Sequence, residues 1–134
     1  MAVLLRYLWA APASLVGLAL LPLAWACGAR TRRHTGTLEI AGGRLGAWIA
    51  RLPSPWAFDA ITFGHVIYAV DAERLAASRA HERVHVRQYE RWGVLFFPLY
   101  LGSSLLQWLT GRNPYWDNHF EREAYRVAPP SSIR

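Results

Sequence analysis

Two charge-free apolar stretches frame this chain, and the residues between them are patterned differently. Leu8 to Cys27 holds twenty residues without a charge. As a helix that length spans about 30 Å, the thickness of a bilayer's hydrocarbon core. Pro12 and Pro22 would kink it, which membrane helices tolerate. Trp9 and Trp25 stand near its ends, where aromatic belts form. The pattern predicts a transmembrane helix inside a membrane anchor over residues 1–29. The rival is a cleaved signal peptide with Arg6 as its positive region. Val94 to Leu109 is the second stretch, sixteen residues without charge, interrupted by Pro98 and by Gly102-Ser103-Ser104. At about 24 Å it is short for a span. It reads as a core helix, a re-entrant hairpin broken at Gly102-Ser103-Ser104, or an interfacial helix held by Trp92 and Trp108.

Between the two, Gly36–Ile40 and Leu45–Ile49 alternate in part around Gly42-Gly43, which predicts a β-hairpin. Pro53 and Pro55 mark a loop. Ile61-Thr62-Phe63 and Val66–Val70 are β-branched and aromatic, and predict strand with a bend at Gly64-His65. Asp71 to Arg91 predicts a helix, with Asp71 as N-cap and Glu73 in the first turn. At 100° per residue His81, His85, Gln88 and Trp92 fall within a sector of about 60°, with Tyr89 beside it. Arg79, Arg83, Arg87 and Arg91 follow the other side. They read first as a solvated cationic face, and second as a face for phosphates of lipid or substrate. Gly111 to Tyr115 is a turn, and Asp117 or Asn118 can cap a last helix near 120–127. The expected organisation is an anchor, one α+β domain over 36–128 and a tail over 129–134.

Composition adds to this picture. The chain has 134 residues, 53% of them hydrophobic, with seven Trp, six Tyr and five Phe, which points to lipid or a very apolar core. Its net charge of +6 permits an anionic partner. No nucleic-acid-reading motif is present, so membrane lipid is the expected partner and nucleic acid is not. Arg30, Arg32 and Arg33 follow the first apolar stretch, against Arg6 before it. The positive-inside rule then puts the downstream chain on the cytoplasmic side of a membrane, for which the bacterial inner membrane is the expectation. Cys27 is the single cysteine, so no intrachain disulfide can form.

The chemistry lies in His81-Glu82-Arg83-Val84-His85, an H-E-x-x-H run on the predicted helix. Residues four apart share a helix face, so both imidazoles can reach one metal ion. The intervening Glu82 can serve as general base toward a metal-activated water. Zinc needs a third protein ligand, and Glu121 or Glu123 on the last helix can supply it. This requires Val94–Leu109 to fold back or stay on one side of the membrane.

The run His81 to Gln88, H-E-R-V-H-V-R-Q, resembles the gluzincin group of zinc metallopeptidases. In particular it resembles the small bacterial HExxH domains found near contractile injection systems, which carry a similar H-E-x-x-H-V-x-Q run. Thr62-Phe63-Gly64-His65-Val66-Ile67 is similar to their T-F-G-x-x-I strand. Glu121-Arg122-Glu123-Ala124-Tyr125 resembles the E-x-x-A-D glutamate helix of the membrane CAAX-protease and heat-shock-protease group. In that pattern the Glu three before the Ala holds zinc, here Glu121, with Glu123 as the alternative. The Asp that would steady a ligand His is Tyr125 in this chain. The resemblance covers about residues 60–126.

It implies a minimal zincin-like fold: a small antiparallel sheet, the HExxH helix, an apolar helical segment and a glutamate helix. It also implies peptide hydrolysis with one zinc ion, ligands His81, His85 and Glu121, Glu82 as general base, and a peptide or protein substrate. His65, His119, Tyr89 and Tyr125 are candidates to stabilise the oxyanion, and Gln88 to steady a ligand. The alternative is a non-catalytic zincin-like module that binds a partner at the membrane. A chain of 134 residues leaves little room for a substrate cleft of its own, and lipid, a partner chain or a second copy could form one wall.

Overall fold

A mixed four-stranded sheet in the order β1-β2-β4-β3 forms the middle layer. The computed structural model describes residues 2–53 and 58–129, so part of the loop expected around Pro55 and most of the expected tail lie outside the described residues. The strands are β1 (Arg30–His34), β2 (Thr37–Ala41), β3 (Ala60–Phe63) and β4 (Val66–Ala69). β4 is apolar at every position, the pattern of a strand buried on both faces, and all four of its residues are buried. Val66 and Tyr68 pack with Leu21 and Ala24 of α2 (Leu21–Ala26), the short helix that follows the N-terminal α1 (Ala2–Ala19). Ile67 and Ala69 pack on the opposite face with Leu75 and Val86 of α4 (Ala72–Trp92).

The hairpin expected around Gly42-Gly43 lies one element earlier. Arg30–His34 pairs antiparallel with Thr37–Ala41, and Leu45–Ile49 belongs to a helix, α3 (Gly43–Ala50). The buried positions of α3 are Gly46 and Ile49, three apart, and a Cβ on Gly46 would collide with the Val70 carbonyl. The expected antiparallel sheet is mixed, because β2 and β4 run parallel. The bend expected at Gly64-His65 is a two-residue hairpin between β3 and β4, with Gly64 at φ +61°.

The expected anchor is packed into the same body as the rest of the chain. Ala10, Ala13 and Gly17 make a buried stripe on α1, and Gly17 lies against Val66, where a Cβ would come within 2.7 Å of the valine Cβ. The Tyr68 hydroxyl donates to the Gly17 carbonyl at 2.5 Å, and the His65 amide donates to Ser14 Oγ at 3.0 Å. The opposite face of α1 leaves Leu4, Leu5, Leu8 and Leu15 exposed. Pro12 sits inside α1, while Pro22 opens α2. The runs Ala2–Ala26 and Ala72–Leu109 each contain a stretch long and apolar enough to cross a membrane.

α4 starts as expected, with the Asp71 carboxylate accepting from the Arg74 amide at 2.7 Å. Its arginine face is not uniformly solvated. Arg79 grips the buried Glu39 of β2 through two hydrogen bonds of 2.8 and 3.0 Å, and Arg83 donates to the carbonyl of Thr35 in the β1–β2 turn at 3.0 Å. These two residues tie the helix to the sheet, whereas Arg87 is exposed.

A turn over Gly93–Leu95, with Gly93 at φ +57°, redirects the chain into α5 (Phe96–Leu109). α5 runs unbroken through Gly102-Ser103-Ser104, where the re-entrant alternative placed a break. The serines instead bind the returning chain. Ser104 Oγ donates to the Pro114 carbonyl at 2.8 Å, and the His119 amide donates to Ser103 Oγ at 3.0 Å. The chain therefore doubles back after Leu109 and places α6 (His119–Val127) against α4.

Candidate metal centre

Helix period puts His81 and His85 on the face of α4 turned toward α6, and Glu82 on the side turned toward β3. His81 Nε2 and His85 Nε2 lie 3.2 Å apart. Between them sits the Glu121 carboxylate, with Oε2 at 3.0 Å from His81 Nε2 and Oε1 at 3.2 Å from His85 Nε2. Three atoms held about 2.0–2.1 Å from one tetrahedral ion stand about 3.3 Å apart. The two short contacts to Glu121 use different oxygens, and with one ligand atom from each residue, all within 4.8 Å of one another, the three side chains form a group that could hold a metal ion. Glu123, the other candidate ligand, is turned away and accepts from Gln88 Nε2 at 3.2 Å.

Glu121 is placed by its own helix start. Asn118, fully buried, caps α6 by accepting from the Phe120 amide at 2.9 Å. Its amide nitrogen donates to the Tyr100 carbonyl at 2.9 Å and to Ser104 Oγ at 2.7 Å, which locks the start of α6 onto α5. Burial would raise the Glu121 pKa, but hydrogen bonds from His81, His85 and Tyr100 overcome it and hold the carboxyl well below the usual range. The group is an anion facing two imidazoles.

Gln88 orients His85. Its Nε2 donates to the Phe120 carbonyl at 3.0 Å, so its Oε1 is the atom that meets His85 Nδ1 at 2.8 Å. An amide oxygen only accepts, so His85 carries a proton on Nδ1, and Nε2 is the nitrogen turned toward Glu121 and the cluster. His81 lacks such support: its Nδ1 is buried without a hydrogen-bond partner among the described residues. Where the resembled pattern has Asp, Tyr125 packs its ring on His81, centroids 4.4 Å apart. Its hydroxyl pairs with that of Tyr115 at 2.8 Å.

Glu82 is buried, and its Oε2 accepts from Thr62 Oγ1 on β3 at 2.6 Å. The other candidates lie apart from the ligand cluster. His65 bonds Glu90 at 2.9 Å and stacks on Tyr7. Tyr89 donates to the Thr62 carbonyl at 3.0 Å. His119 is exposed at the start of α6. The residue that sequence reasoning missed is Tyr100, whose hydroxyl donates to Glu121 Oε1 at 2.7 Å. Nothing in the apolar run around it distinguishes this phenol from its membrane-type neighbours.

Little room for a cleft was expected, yet an open cleft of about 1230 Å³ runs beside the cluster. Its lining includes His81, Glu82, His85, Tyr100 and Glu121, with the edge strand β3 along one side. α4, α5 and α6 fold back on one another and so supply the walls. Comparison with family models, with curated proteins and with solved structures gives no match.

Proposed function

We propose that this protein is a membrane-associated zinc-dependent peptidase. The carrying observation is the His81–His85–Glu121 cluster, whose ligand atoms lie within 4.8 Å of one another beside a cleft that Glu82 also lines. Two imidazoles and one carboxylate are a donor set used by catalytic zinc, and they leave a position free. Zinc, when bound, supplies Lewis acidity toward a carbonyl and toward water. Glu82, poised by Thr62, takes a proton from the attacking water and returns it to the leaving amine. Tyr100 is the donor best placed to meet developing negative charge on the substrate oxygen, because its hydroxyl already faces the cluster. A substrate peptide lies along β3, whose free edge offers main-chain hydrogen bonds. The apolar outer faces of α1 and α5 meet lipid. The arginines after the first apolar run favour the cytoplasmic side of a bacterial inner membrane.

One observation favours a second reading, a non-catalytic metal-holding module: His81 Nδ1 is left without a partner. Zinc content and proteolysis decide between the two. The expected result is about one zinc per chain, lost in His81→Ala and His85→Ala. Glu82→Gln should keep the zinc and lose cleavage by on the order of 10²–10⁴-fold. Unchanged cleavage in Glu82→Gln would remove the peptidase reading, and absence of bound metal would remove both.

A further inference from the structure

Beside the cleft is an open recess of about 700 Å³ lined by Trp116, Arg122, Tyr125 and Arg126. Trp116 and Tyr125 line both spaces, their rings 5.0 Å apart at 31°. Tyr125 in turn lies 4.4 Å from the His81 ring. Two ring contacts therefore lead from Trp116 through Tyr125 to His81, a candidate metal ligand. Extended chain advances about 3.3 Å per residue, so a peptide crossing the cluster reaches the recess after about three residues.

Some arginines are paired within the fold, whereas Arg122 and Arg126, like Arg87 and Arg112, have no side-chain partner among the described residues. Arg79 is bound to Glu39, Arg74 lies near Asp59 and Asp71, Arg91 near Glu123, and Arg6 near Glu90. Arg122 and Arg126 are exposed one helical turn apart, and neither guanidinium has an ion-pair or hydrogen-bond partner among the described residues. Like charges four apart work against a helix. Arg122 also lies in the first turn of α6, the positive end of the helix dipole, where a cation is disfavoured. Helix stability accounts for neither the pairing nor the position of Arg122. Two planar guanidiniums beside aromatic faces match a carboxylate.

Resting on the peptidase reading for what enters the cleft, we infer that this recess binds an acidic side chain of the substrate about three residues from the bond presented to His81, His85 and Glu121. Arg122 and Arg126 are its specificity-determining residues. Full-length Glu82→Gln protein in detergent, titrated with labelled short peptides that carry Glu or Gln at each position in turn, tests this by anisotropy. At one position Glu should bind about tenfold tighter than Gln. The preference should weaken with salt, disappear in Arg122→Gln/Arg126→Gln and persist in Arg112→Gln. Equal affinity for Glu and Gln peptides at every position overturns the inference. It is also overturned if the double substitution leaves the peptide preference intact and instead abolishes sedimentation with phosphatidylglycerol vesicles, since the recess is then a headgroup site. Metal-free, inactive protein that still prefers Glu peptides through these arginines would keep the recess and discard only the hydrolase reading.

Discussion

At Gln88 one amide decides which nitrogen of a candidate metal ligand is available. The hydrogen bond to the Phe120 carbonyl fixes the orientation of that amide, and the amide fixes the His85 tautomer. Gln88→Leu keeps the bulk and leaves His85 Nδ1 unpaired. Zinc affinity should fall about 10–100-fold, the usual effect of losing a partner that orients a ligand. A competition titration with a chelating dye measures it, and an unchanged affinity would show that packing alone sets the imidazole. This part of the site was partly legible in the sequence, since helix period alone puts Gln88 on the histidine face. Glu121 was legible as one of two candidates, and only the packing of α6 separates it from Glu123. Tyr100 was not legible, because its role depends on the path of the chain after Leu109. That path is set by Ser103 and Ser104, which in sequence resemble a helix break.

Elements whose burial follows their own periodicity were legible, and elements stabilised by a neighbour were not. β4 and α4 belong to the first kind. β1 belongs to the second: Arg30-Thr31-Arg32-Arg33-His34 has no apolar alternation, because this edge strand buries little and is held by its ladder to β2. α3 was misread because Leu45 and Ile49 fit a helix as well as a strand. The docking of α1 was hidden for a similar reason. Ala10, Ala13 and Gly17 read as ordinary members of an apolar run, yet the alanines pack with Tyr89, Phe96 and Phe120, and Gly17 lets Val66 of the sheet approach. Gly17→Leu should force α1 away from Val66 and destabilise the protein by roughly 1–3 kcal/mol, the usual cost of overpacking. Thermal unfolding in detergent checks this. A melting point equal to wild type would mean that α1 is a tether with no share in the core.

Across the whole molecule the cluster joins two helices that are 40 residues apart in sequence at His81 and Glu121. An ion bound only by the folded state stabilises it by mass action, about 4 kcal/mol at a thousandfold excess over its dissociation constant. Stripping the metal with a chelator should therefore lower the melting point by several degrees, and added zinc should restore it. Loss of metal without any change in melting would show that α4 and α6 are held together by Phe120, Gln88 and the serine contacts alone.

The hydrogen bond from Tyr68 to Gly17 spans 51 residues. Its consequence is one of timing during synthesis. α1 leaves the ribosome first, while the strand that covers its small-residue stripe follows several seconds later, at about 5–20 residues per second. Until then Gly17 lacks its partner on the strand, and in the membrane-associated reading proposed above lipid covers it. Ribosome-bound chains arrested before residue 60 should crosslink to lipid through position 17, and chains arrested well beyond residue 96 should not. The same contact in both lengths would mean that the stripe never leaves the bilayer.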